Sequence, residues 1–175
     1  SILNHGTHNS NFVHLNRANS GSNFYADIIV ESSTGNGIYF GQGGGSSTLA
    51  TNRRILIGPL GYSQGNLYLR NFTQLGTTAQ SLSLSGTSIL SHYNNNWNAA
   101  VQFTAPRQLL RSTLFNASAY LEKSGGSNDY SYGGCIFNSS TTIVNSSNNQ
   151  MVLDNNSPND FNAAVSFNQR SNGRL

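Results

Sequence analysis

Six carboxylates, four histidines and one cysteine are the side chains from which this chain would have to build a reactive centre. The carboxylates are Asp27, Glu31, Glu122, Asp129, Asp154 and Asp160. Glycoside hydrolysis needs two of them facing each other across a cleft. Asp154 and Asp160, at a turn and beside an aromatic phrase, come nearest to that requirement. A polysaccharide lyase would add clustered Asp for calcium and a basic Arg or Lys, and there is no Asp-x-Asp cluster. His5, His8, His14 and His92 are the remaining ligand types; His5 and His8 have a metal-compatible spacing but no third ligand near them, so that pair reads as solvated. No serine sits in a Gly-x-Ser-x-Gly elbow. Cys135 stands alone, forms no internal disulfide and reads as a small apolar residue inside the fold. We therefore assign no catalytic residue, no metal ligand and no cofactor from the sequence, and expect a protein that is not an enzyme.

Binding chemistry is better represented. Among eight tyrosines, Tyr39, Tyr68 and Tyr120 occupy the middle of apolar-x-apolar triplets, where alternation turns them away from a core. Exposed rings on a flat face suit sugar stacking or adhesion. A flat threonine array for ice binding is not supported, because Thr does not recur at one register. The net charge of +3 and pI of 9.2 come from few charges of either sign. With Arg53-Arg54 the single basic doublet, nucleic acid is not an expected partner. The loop Gly41 to Thr48 lacks the Gly-Lys-Ser/Thr that a phosphate cradle requires and reads as a turn between repeats. No apolar run is long enough to cross a bilayer.

The elements that must position these residues repeat. Asp160-Phe161-Asn162-Ala163-Ala164-Val165-Ser166-Phe167 has earlier copies at Trp97–Phe103, Phe115–Leu121 and Phe137–Ile143, and a looser one at Thr51–Ile57. Positions 51, 97, 115, 137 and 161 give steps of 46, 18, 22 and 24 residues. The long step leaves room for a worn copy around Gln80–Leu84. Each phrase is followed by a second, short alternating strand, ten residues on from Ile28 to Ile38, from Thr141 to Met151 and from Val165 to Leu175. Gly37–Phe40, Asn66–Leu69 and Gln150–Leu153 are its clearest examples.

A period of this kind, with two or three short strands per unit, predicts an all-β fold: a right-handed parallel β-helix (β-solenoid) of roughly seven to eight coils. Residues 1–175 form one domain or segment, best preserved over 94–175. Asn and Ser, 26 of each, supply turn residues, and Pro59, Pro106 and Pro158 are expected in turns. Trp97, Phe115, Phe137 and Phe161 should stack as an aromatic column, Val101, Ala119, Thr141 and Val165 as an aliphatic one. Leu67 and Met151 should line the opposite wall. Asn52, Asn98, Asn116, Asn138 and Asn162 should form a hydrogen-bonded ladder along the axis. The register of residues 12–30 stays open.

The chain ends on Asn172-Gly173-Arg174-Leu175, where a second phrase should begin. Appending Ser1-Ile2-Leu3-Asn4 to Arg174-Leu175 completes the pattern of Gln150–Asn155. Ser1, Ile2, Leu3, Asn4, Arg174 and Leu175 are thus expected at assembly ends that join head to tail, or to neighbouring repeats of a longer parent.

Tyr130-Ser131-Tyr132-Gly133-Gly134-Cys135-Ile136-Phe137-Asn138 and Asp160-Phe161-Asn162 are similar to the long Asn/Gly/Thr-rich repeats of secreted bacterial surface proteins, particularly those of Bacteroidetes-like organisms. The resemblance covers most of the chain and brings no catalytic residues. It implies an extracellular or cell-surface β-solenoid serving as stalk, fibre or adhesin. A carbohydrate-binding or polysaccharide-cleaving β-helix, with surface polysaccharide as partner, is the alternative.

Overall fold

The computed structural model describes residues 2–4, 12–15, 20–41 and 43–175, and for residues 2–4 the backbone alone. The fold is an all-β parallel β-solenoid. Its strands pair in parallel with their counterparts one winding away, and the described residues contain no helix.

Each winding has three strands, which build three walls. The first wall contains Ile2–Asn4, Ile28–Ser32 and Ile55–Tyr62, then Gln80–Ser83, Val101–Ala105, Ala119–Lys123, Thr141–Asn145 and Val165–Gln169. The second contains Phe12–Leu15, Gly37–Phe40, Asn66–Arg70, Ile89–Tyr93 and Arg107–Arg111, continued by Asp129–Tyr130 and Met151–Val152. The third is a seven-stranded sheet of Asn23–Phe24, Ser47–Leu49, Phe72–Gln74, Asn96–Trp97, Leu114–Phe115, Ile136–Phe137 and Asp160–Phe161. The repeated phrase straddles a corner: its aromatic residue closes a third-wall strand and its aliphatic residue opens a first-wall strand. This settles the register of the described residues between 12 and 30. Phe24 aligns with Leu49 on the third wall, and Ile28 with Ile55 on the first.

The stacking columns form in the expected register. Trp97, Phe115, Phe137 and Phe161 are successive partners. The rings of Phe115, Phe137 and Phe161 stack 4.8 Å apart at interplanar angles of 1° and 4°. Val101, Ala119, Thr141 and Val165 align likewise. Two residues on, Phe103, Leu121, Ile143 and Phe167 make a further inward column. One winding encloses too little apolar surface to stand alone, so burial comes from the stack.

The asparagine ladder runs through four of the five expected residues. Asn116 Nδ2 donates to Asn98 Oδ1 at 2.7 Å, Asn138 to Asn116 at 2.9 Å and Asn162 to Asn138 at 2.8 Å. Asn52 is not a member. In that winding Leu49, not Thr51, takes the aromatic position, because the corner between Leu49 and Ile55 is longer than that between Trp97 and Val101. Asn52 adopts the left-handed conformation in the longer corner (φ 63°). A second ladder, not foreseen, lies between the second and third walls. Asn71 and Asn94 are both left-handed there, and Asn94 Nδ2 donates to Asn71 Oδ1 at 2.7 Å.

Two other expectations are corrected. Pro59 lies inside the strand Ile55–Tyr62, not in a turn between strands. Pairing jumps from Val30↔Ile57 to Ser32↔Tyr62, so Gly58–Gly61 bulges outward, where proline's missing N–H costs no ladder bond. Buried Glu31 holds the bulge by accepting the Leu60 N–H at 3.0 Å. Thr48 likewise belongs to a strand, Ser47–Leu49, so the loop there is shorter than Gly41 to Thr48.

Candidate functional site

Three places on the solenoid concentrate side-chain chemistry: a buried charged cluster, one end of the stack and the outer face of the second wall. The buried cluster grows from the period-2 alternation of Ala119–Lys123, which turns Lys123 inward. Its Nζ donates to Pro106 O at 3.0 Å, Ser127 O at 2.7 Å and Gly125 O, and lies 3.3 Å from Asp129 Oδ2. Asp129 also accepts from Arg107 Nε and the Gln108 N–H, each at 2.8 Å. Burial lowers the Lys123 pKa, against the opposing pull of Asp129. In the next winding the aligned Asn145 plays the same part, donating to Asn149 O and Arg174 O. Lys123 therefore clasps its own turn. The signal in the sequence is the shared parity of Ala119, Leu121 and Lys123.

The histidines and carboxylates do not converge. His5 and His8 lie outside the described residues. His92 is buried: its ring stacks on Phe103 at 5.0 Å and meets Trp97 edge-on at 6.0 Å. Burial pushes its pKa down to about 3. The residue is an interior position of an alternating strand, Leu90 and His92 both buried. His14 is half-buried beside Phe12 and Tyr39. Among the described residues no three His, Cys, Asp or Glu gather to hold a metal. Asp154 lines the end of the stack, while exposed Asp160 belongs to a third-wall strand. Cys135 is fully buried and its thiol pKa is pushed up to about 11 by burial.

At the end formed by the last winding, core columns lie open. Val165 is 37% and Phe167 51% exposed, although their partners Thr141 and Ile143 are buried. With Met151, Leu153, Phe161 and Leu175 the Phe167 ring lines a hollow of about 510 Å³. Arg174 pairs with Gln150 on the second wall, as the sequence implies. Ile2, Leu3 and Asn4 do not complete that strand. They pair with Val30, Glu31 and Ser32 on the first wall, because their register follows Ile28–Ser32. Ser1 lies outside the described residues.

The three tyrosines divide between walls. Tyr39 and Tyr68 are aligned neighbours on the second wall, ring centroids 5.2 Å apart. Tyr120 is on the first wall, its hydroxyl donating to Glu122 Oε2 at 2.8 Å. Burial raises the pKa of all three, and the bond to Glu122 adds to the rise at Tyr120. Beside the Tyr39–Tyr68 column runs one that sequence reasoning missed. Arg70, Tyr93 and Arg111 are aligned partners at the last position of three second-wall strands. The Arg70 and Arg111 guanidinium carbons sit 4.6 and 4.5 Å from the Tyr93 ring centre, and Arg111 is 4.1 Å from that of Tyr132. The recurring fifth residue of the strands Asn66–Arg70, Ile89–Tyr93 and Arg107–Arg111 was the available signal.

No family model, curated protein or solved structure matches this chain. What stands is the architecture: a parallel β-solenoid with an open apolar end and an aromatic-cationic wall.

Proposed function

We propose that this chain is a non-enzymatic structural unit of an extracellular or cell-surface fibre or adhesin, extended by end-to-end stacking of solenoid windings. The observation that carries this reading is the open end, where Val165, Phe167 and Leu175 expose surface that the preceding winding covers at Thr141, Ile143 and Met151. The strand Val165–Gln169 there pairs on one side, with Thr141–Asn145, and offers its other edge for parallel addition. A further winding, from a second copy or from neighbouring repeats of a longer parent, would continue the columns. Sedimentation velocity and electron microscopy test this directly. The wild-type protein should form concentration-dependent linear assemblies and Phe167→Glu should not. A Phe167→Glu variant that assembles as well as wild type would refute it.

A second reading, carbohydrate binding, draws on one specific observation: Tyr39 and Tyr68 share an outer wall with the Arg70–Tyr93–Arg111 column. Saturable binding to cell-wall or plant polysaccharide that Tyr68→Ala abolishes would support it. Its absence across such a panel would remove it.

A further inference from the structure

Along the second wall the outward positions after Tyr39 and Tyr68 are Ser91 and Leu109, and Tyr130 follows on the continuing strand. Two small or aliphatic residues thus separate two tyrosines, leaving a groove of about 220 Å³. Parallel strands lie about 4.8 Å apart, so the backbones of Tyr68 and Tyr130 are roughly 14 Å apart along the axis. Tyr93, Arg111 and Tyr132 close one flank. At the floor, Ser91 is 4% exposed and its Oγ has no hydrogen-bond partner among the described residues.

The electrostatics of this groove are one-sided. No carboxylate lines it, and Arg111 makes no ion pair among the described residues. The Arg111 guanidinium carbon sits over the Tyr93 and Tyr132 rings, and its N–H groups without an ion-pair partner can serve a planar anion. A guanidinium edge is matched by a carboxylate, which accepts two parallel hydrogen bonds. Flanking aromatic rings are matched by the apolar face of a pyranose. Both features occur together in a uronic acid.

We infer that this groove binds a carboxylated sugar unit of an acidic polysaccharide, Arg111 taking the carboxylate and Tyr68 or Tyr130 the ring face. The inference rests on the carbohydrate-binding reading and narrows it to a ligand class. In the bound state a sugar hydroxyl would complete the hydrogen bonding of Ser91 Oγ after a small shift of the covering rings.

The test is calorimetric titration of the full chain with a hyaluronan tetrasaccharide and with the same tetrasaccharide methyl-esterified at its carboxylates. The acid form should bind at least about tenfold more tightly, the size of one charge-assisted bidentate contact. Arg111→Gln should reduce the acid to the level of the ester, and Arg111→Lys should restore only part of the difference. Tyr132→Ala, at an exposed ring, should weaken the acid form while preserving the circular dichroism spectrum. Tyr120→Ala, on another wall, should change nothing. Equal affinity for acid and ester would overturn the ligand class while leaving carbohydrate binding in place. Binding of neither would overturn the inference, and the carbohydrate reading would then stand or fall with the polysaccharide panel. Acid-selective binding that survives Arg111→Gln would place the carboxylate site elsewhere and overturn the assignment.

Discussion

Replacing Phe137 by alanine should destabilise the solenoid far more than the same change at Phe161. Phe137 is 1% exposed, with Phe115 on one face and Phe161 on the other, both at 4.8 Å and nearly parallel. A fully buried Phe→Ala change costs about 3–5 kcal/mol. Phe161 has a stacked neighbour on one side only, an edge contact to Phe167, and partial exposure, so about 1–2 kcal/mol is expected from its smaller buried area. Aromatic pairs add about 0.5–1.5 kcal/mol beyond burial, so Phe115 and Phe137 should couple by that amount in a double-mutant cycle. Phe115 and Phe161 do not touch and should be additive to within about 0.5 kcal/mol. Urea unfolding, followed by Trp97 fluorescence and circular dichroism, measures all of these. Equal losses at Phe137 and Phe161, or a Phe115–Phe161 coupling as large as the adjacent one, would refute the stacked column.

Further outcomes follow from other sites. Protonation of His92 is resisted only in the folded state, so stability should fall as pH drops from about 6.5 towards about 3, by at most about 1.4 kcal/mol per pH unit. His92→Leu should remove that component of the acid sensitivity in unfolding curves recorded across the range. Lys123→Met should cost about 3 kcal/mol, because buried Asp129 and the carbonyls of Pro106, Gly125 and Ser127 lose a donor, and adding Asp129→Leu should recover part of the loss in the same assay. Gly133→Ala should lower the melting temperature sharply: its φ is +88°, and a Cβ would stand 1.9 Å from Ser157 O in the next winding.

Much of this architecture is written in local spacing. The Phe-Asn-Ala phrases announce a corner, and the ten-residue interval from Thr141 to Met151 places the next wall. Both follow from period-2 alternation inside a fixed winding length. Legibility fails where the winding length changes. The corner after Leu49 is longer, and this displaced Asn52 from the ladder; the bulge Gly58–Gly61 hid a strand behind a Gly-Pro pair. Polar interior residues were missed for another reason. His92 and Lys123 follow the alternation, but their types argue for solvent, and only the packing of Phe103 and the turn carbonyls explains their burial. The aromatic-cationic wall was half visible: Tyr39 and Tyr68 could be placed outward, whereas Arg70, Tyr93 and Arg111 became neighbours only once the register was fixed.

The claim beneath all of this is that equivalent residues of successive windings lie one above another along a single axis. Tyr25, Leu75 and Asn162 occupy the same exposed corner, immediately after the partners Phe24, Gln74 and Phe161 in one continuous sheet. Spin labels at residues 75 and 162 span four windings, and labels at 25 and 162 span six. With about 4.8 Å per winding, electron–electron double resonance should report backbone separations of roughly 19 Å and 29 Å. Distances that grow in that proportion support the stack; equal distances, or a shorter one for the outer pair, would contradict it.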